Sequence, residues 1–136
     1  MNVGKYIYSK LAADAGVTAL VSTRIYPIFI PKSAALPAIV FVVNEEPNTT
    51  NKTNPATHDR ATVTFRYWAD AADGVDAYEK INSIHAAVRT VLDYVDGTAG
   101  GVTVDVAHFD SVTDGRDEEM TLFMKEATYT FLSRNA

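Results

Sequence analysis

The chain contains no cysteine, which excludes disulfide staples, thiolate zinc sites and thiol nucleophiles. It also lacks any run of 18 or more apolar residues, so no stretch reads as a membrane-spanning helix. The opening MNVGKYIYSKLAADAG lacks the charged, apolar, then small-residue order of a signal peptide, and folding in a cytoplasm is expected. Basic residues are few and scattered. Twelve Lys and Arg stand against 17 Asp and Glu, a formal net charge of -5. Broad nucleic-acid binding needs basic groups gathered against phosphates, and the overall field opposes it.

Catalytic patterns are equally scarce. His58, His85 and His108 are far apart and carry no metal-ligand spacing. Ser83 and His85, two apart on a helix, do not face each other. Gly97, Gly100 and Gly101 lack the Lys and Ser/Thr of a phosphate loop and no helix follows them, so they read as a turn. Asp110, Asp114, Asp117, Glu118 and Glu119 form the one dense carboxylate set. Their spacing does not match a calcium loop, and a solvated acidic hairpin is preferred over a small cation-binding domain. No cofactor and no catalytic residue is expected.

What the sequence does contain is a length of 136 residues, enough for one domain with a hydrophobic core. Its organising stretch is ATVTFRYWADAADGVDAYEKINSIHAAVRTVLDYV, residues 61–95. Ala61, Val63, Phe65, Tyr67 and Ala69 alternate with Thr62, Thr64, Arg66 and Trp68, the period of a strand. A helical stripe follows through Tyr78, Ile81, Ile84 or His85, Val88, Leu92 and Val95. Asp73 is expected to cap a helix over 74–95, about 33 Å long, with Asp76 in its first turn and Gly97 as its left-handed cap.

Around this unit, residues 2–14 predict a first helix with Val3, Ile7 and Leu11 on one face; Asn2 caps it and Gly16 breaks it. Val17, Leu20 and Val21 add one more turn. TRIYPIFIP carries Pro27 and Pro31 and belongs at a sheet edge. LPAIVFVVNEE, residues 36–46, reads as a strand covered on both sides. The polar EEPNTTNKTNPATHD is a long loop; its two glycosylation sequons, at Asn48 and Asn51, are coincidences without a secretory signal. Val102, Val104 and Val106 alternate as a strand. DSVTDGRDEEM is an acidic connection with a turn at Asp114-Gly115, and TLFMKEATYTFL is the last strand. The expected fold is α+β, in the order α-β-β-β-α-β-β. Two helices pack on one face of a largely antiparallel sheet with long hairpin loops.

On the opposite face the alternation places Trp68, Leu122, Met124 and Leu132. A cluster with a tryptophan points to a partner surface; burial under the loops is the alternative.

The order of these elements resembles the phage tail-completion proteins, the tail-terminator or tail-to-head joining group. VGKYIYSKLAADAGVTALVSTRIYP is similar to the family's opening helix and its "TRIYP" element at Thr23–Pro27. LPAIVFVVNEEPNTTN resembles the next strand and polar hairpin, residues 61–93 the strand-then-helix unit, and DSVTDGRDEEMTLFMKEATYTF the final hairpin. The resemblance implies a virion structural protein, made in the host cytoplasm. It would form a ring, usually a hexamer, that caps the head-proximal end of the tail tube and stops its polymerisation. Its partners would be other copies of itself, the tail tube protein and the head-tail connector or stopper; DNA would pass through the lumen without specific binding. A neck or head-completion protein and a tail-tube subunit are the alternatives in the same class. Candidate contact residues are Glu45, Glu46, Asn48, Asn51 and Lys52 in the first loop. On the far face they are Trp68, Leu122 and Met124, and at the acidic tip Asp114, Arg116, Asp117 and Glu118. The Glu45–Pro55 and Asp114–Glu119 segments are expected to reach neighbouring rings.

Overall fold

The alternation at residues 61–69 runs through a long strand, β3 (His58–Asp70), whose odd-numbered side chains from Ala61 to Ala69 are all buried. The computed structural model describes residues 3–47, 58–117, 119 and 121–134. Within them the elements are α1 (Val3–Ala13), α2 (Ala15–Val21), β1 (Ile25–Pro27), β2 (Ala38–Pro47), β3, a 3-10 turn (Ala71–Asp73), α3 (Val75–Leu92), β4 (Gly97–Ala99), β5 (Val102–Asp117) and β6 (Leu122–Arg134). The six strands form one sheet in the order β1-β2-β3-β6-β5-β4. Every pairing is antiparallel except β1 with β2.

The expected α+β class holds; the details differ. Three α-helices replace two, because the first helix breaks at Asp14 rather than Gly16. The Asp14 carboxylate accepts the Val17 amide at 3.0 Å and starts a separate α2, with Gly16 inside it. A sixth strand, β4, lies where only a turn is expected. The proline-bearing run does sit at the edge, but as a parallel strand of three residues ending at Pro27.

At the organising helix, Asp70 rather than Asp73 caps the 3-10 turn, accepting from Ala72 N–H at 2.9 Å. Gly74 stands at the N-cap of α3 and makes no side-chain hydrogen bond. The buried stripe is Ala77, Ile81, Ile84, Val88 and Leu92, so Tyr78 lies off it and is 44% exposed. The helix stops at Leu92. Asp93 is held between the Arg89 guanidinium (3.1 Å) and the Phe109 amide (3.0 Å), and Tyr94 N–H reaches Ala107 C=O. The left-handed residue at the helix end is therefore Tyr94, at φ 57°, whereas Gly97, at φ 114°, opens β4.

The turn expected at Asp114-Gly115 is also absent. β5 runs straight through it, pairing Asp114 with Lys125 and Gly115 with Met124. A Cβ on Gly115 would stand 3.0 Å from Met124 Cε, so the missing side chain makes room for a methionine rather than for a turn.

The core lies between the helices and one face of the sheet. Tyr6, Ile7 and Leu11 of α1, Val21 of α2 and Val88 and Leu92 of α3 are fully buried, as are Phe65, Tyr67, Tyr129 and Phe131. Each contributes about 1.5–3 kcal/mol relative to exposure. Phe65 meets Tyr129 edge-on at 5.2 Å, and Tyr6 meets Phe131 in the same geometry at 6.3 Å. Helix α1 packs against β1 and β2 at one end of the sheet and against β4 and β5 at the other, so the sheet curls around it.

Gly100 sets how closely this curl closes. It has φ 58°, and a Cβ there would fall 2.6 Å from the Lys5 carbonyl oxygen. Gly100→Ala is expected to cost about 3 kcal/mol, combining left-handed strain with overpacking. Gly101→Ala, with φ 76° and nothing within 4 Å of its Cβ, is expected to cost about 1 kcal/mol. Urea unfolding of the two variants checks the difference.

Candidate assembly surface

The face of the sheet turned away from the core has no helix on it among the described residues. Register places its side chains in rows across β2, β3, β6 and β5. One row is Ala38, Trp68, Met124 and Gly115; the next is Val40, Arg66, Glu126 and Thr113; hydroxyls follow at Thr64, Thr128 and Ser111. Arg66 and Glu126 approach to 3.4 Å. The apolar end of this face is largely withdrawn from water within one copy. Trp68 and Met124 are half-buried, and Ala38, Val40 and Leu122 are 0%, 3% and 6% exposed.

The sheet's two ends are less complete. Ile39 N–H donates to Arg24 C=O, and Phe41 C=O accepts from Ile28 N–H. Residues 39 and 41 thus aim their backbone groups outward, and so, two and four residues on, do Val43 and Glu45. β1 stops at Pro27, opposite Phe41, and leaves the outer side of Val43 and Glu45 without a strand among the described residues, their inner side being paired with β3. Beside this open edge lies a groove of about 810 Å³ between α1 and β2. Tyr8 and Lys5 form one wall, Phe41, Val42 and Val43 the other, with Ile28 and Gly100 at its ends. Ile28 takes φ 73°, rare for a β-branched residue, and holds its side chain 71% exposed beside the 69% exposed Phe29. At the other end, β4 covers only Val102–Val104 of β5, and the Tyr94–Val95 backbone covers Ala107. The edge from Asp110 to Gly115 has no strand beside it among the described residues, and it is exposed throughout.

The sequence-predicted residues do not converge on one spot. Glu45 turns inward and accepts the Val3 amide at 2.7 Å, capping α1. Glu46 is exposed, opposite Arg60. Trp68 and Met124 are adjacent, with Leu122 further along the same strand. Asp114, Arg116 and Asp117 occupy the end of β5; Arg116, Asp117 and Leu122 line one shallow hollow there. Asn48, Asn51, Lys52 and Glu118 lie outside the described residues. The groove residues Tyr8 and Ile28, and Phe29 next to Ile28, are not among the residues that the sequence points to. Their signal was the apolar PIFIP run between two prolines, an edge element with more hydrophobic surface than an edge can bury.

No three His, Asp or Glu side chains converge on a metal-sized site among the described residues. Asp110 accepts from Thr130 Oγ1 and stands 2.9 Å from His108 Nδ1. Asp114 turns to the helix side, 2.5 Å from the buried Lys125 ammonium and 3.0 Å from the Tyr78 hydroxyl. The Lys125 hydrogen bond, then that of Tyr78, holds the Asp114 carboxyl below its usual range. Nearby, His85 packs between Tyr67 and Phe109, and its buried Nδ1 has no partner among the described residues. Burial first, then Lys125 and Arg89, lowers its pKa against the opposing pull of Asp114. At the far end of β6, Asp105 joins His58 at 2.5 Å and Arg134 at 2.6 Å; chiefly the His58 hydrogen bond lowers its pKa.

These features define a small structural domain with open edges. The same fold occurs in a chain of the solved structure described as the virion of a native gene transfer agent (GTA) particle. The TM-score is 0.72 at 20% identity, covering 95% of this chain and 92% of that one. No curated protein sequence matches the chain. The model of the family described as "Tail completion protein gp17" matches residues 5–132, and the chain belongs to that family. The family is one of structural virion tail proteins, not of enzymes.

The Lys125–Asp114 pair has unequal partners, the ammonium 8% exposed and the carboxylate 48%. Asp114→Ala strands a buried charge and is expected to cost about 2–3 kcal/mol; Lys125→Met releases a carboxylate into water and is expected to cost under about 1 kcal/mol. Chemical denaturation of both variants checks the asymmetry. The lowered pKa values also give a pH dependence. His85 stability is present above about pH 6.5 and is lost as pH falls through the lower folded value. Asp105 and Asp114 stability is present above about pH 4 and is lost below it. Urea midpoints measured against pH are expected to fall in two stages, and His85→Leu is expected to remove the first.

Proposed function

We propose that this protein is a tail terminator. Copies of the chain close into a ring, as a hexamer, on the head-proximal end of the tail tube. The ring stops tube polymerisation and presents the docking surface for the head connector or stopper. The observation that carries this reading is membership of the tail completion family over nearly the full chain. The geometry is consistent with it. Open edges at opposite ends of one sheet suit a head-to-tail contact, and such contacts generate rings when the rotation closes. The net charge of -5 suits a lumen through which DNA slides without being held. Trp68 and Met124 are the contacts proposed toward the tube and the connector.

Electron microscopy of particles made without the gene tests this. Overlong, headless tails are expected. Filled heads lacking tails would instead indicate a neck protein, and a complete lack of tails a tube subunit.

A further inference from the structure

We infer that the groove between α1 and β2 is the socket for a second copy of this chain, entered by the outer edge of the neighbour's β5–β6 hairpin at Asp110–Gly115. The inference rests on the ring reading and deepens it by naming the two surfaces that meet. Three observations support it independently.

The first is backbone chemistry. Val43 and Glu45 direct N–H and C=O groups to an edge that β1 leaves uncovered, and Val43 lines the mostly apolar groove beside it. An added strand satisfies such an edge with main-chain hydrogen bonds, and the adjoining pocket takes its side chains. The second is that the chain carries its own candidate for that strand. Asp110–Gly115 is an extended edge of similar length, with Val112 as its exposed apolar side chain at 38%. One edge lies on β2 and the other on β5, so the two cannot meet within one subunit and their pairing between copies is head-to-tail. The third is charge. Lys5 is the charged side chain among the residues lining the groove, and Glu45 beside it is turned to the start of α1, whereas residues 110–119 carry Asp110, Asp114, Asp117, Glu118 and Glu119 against Arg116. The Lys5 ammonium and an acidic strand attract each other, while hairpin against hairpin repels.

The absence of native cysteine allows a direct test in the full chain. Ile28→Cys, Val112→Cys and the double variant are treated with a short bis-maleimide cross-linker, alone and in the presence of tail tubes, while native mass spectrometry follows assembly. The expected result is a ladder of covalent multimers from the double variant, ending at the ring mass. A mixture of the two single variants is expected to stop at dimers, and either single variant alone to give none. The peptide spanning Val43–Glu46 is expected to gain hydrogen-exchange protection on assembly. Rings that form without cross-links, or without that protection, would overturn the inference while leaving the terminator reading intact. Dimers from a single variant alone would overturn it in favour of a two-fold contact. Failure to form a ring under any condition, tubes included, would remove both readings.

Discussion

The β3–β6 ladder is the constraint on which the other elements depend. It runs without a slip from His58 opposite Arg134 to Asp70 opposite Leu122, and so fixes which side of the sheet every neighbouring strand presents. Side chains alternate with a period of two, and a shift of one residue would carry Val63, Phe65, Tyr67, Tyr129 and Phe131 to the helix-free face. That shift would remove the floor on which all three helices lie. The register is strongly held because five large side chains depend on it at once, while the threonines and charges behind them lose little either way. β5 is less regular, with register shifts at Val104/Val106 and Phe109/Ser111. The ladder tolerates those irregularities because they fall on its outer neighbour.

Much of this was legible in the sequence where one force dominated. Residues 61–69 and 125–132 alternate cleanly because one face is packed under the helices and the other is not, and the structure places them as read. The α3 stripe was legible in period but not in phase, since an aromatic at Tyr78 looked more core-like than the alanine beside it. Misplaced features were those settled by a distant partner. Asp14 looked like an ordinary helical residue until its carboxylate took the Val17 amide. Asp114-Gly115 looked like a turn, but Lys125 and Met124 on the adjacent strand hold it extended. Glu45 was read as a loop contact, and it caps a helix 42 residues earlier in the chain. At Ile28 the PIFIP run signals surplus apolar surface at an edge, but no local pattern reports that two ends of a sheet approach the same helix and form a groove there.

The polar groups under the hairpin show a further compromise. Tyr67 and Tyr129 bury hydroxyls that have no hydrogen-bond partner among the described residues, and burial is the main reason their pKa values are raised. His85 Nδ1 joins them. An unsatisfied buried polar atom costs about 1–3 kcal/mol. The aromatic rings offset this with packing, so the hairpin end of the core is firm in shape but sensitive to protonation. The Lys125–Asp114 pair ties the same region to the exposed strand above it.

The position of α1 has a consequence for symmetry. The helix is held between the two ends of the sheet, against the bare backbone of Gly100 on one side and β2 on the other, so the curvature of the sheet is set inside each subunit. In a closed ring of identical contacts, the angle from one copy to the next must divide a full turn. In the proposed ring that angle comes from the subunit's own curvature, because both meeting edges belong to the same curved sheet. In that ring the depth at which α1 is wedged in each monomer would bear on the number of copies, and the strength of adhesion between copies on how long the ring lasts.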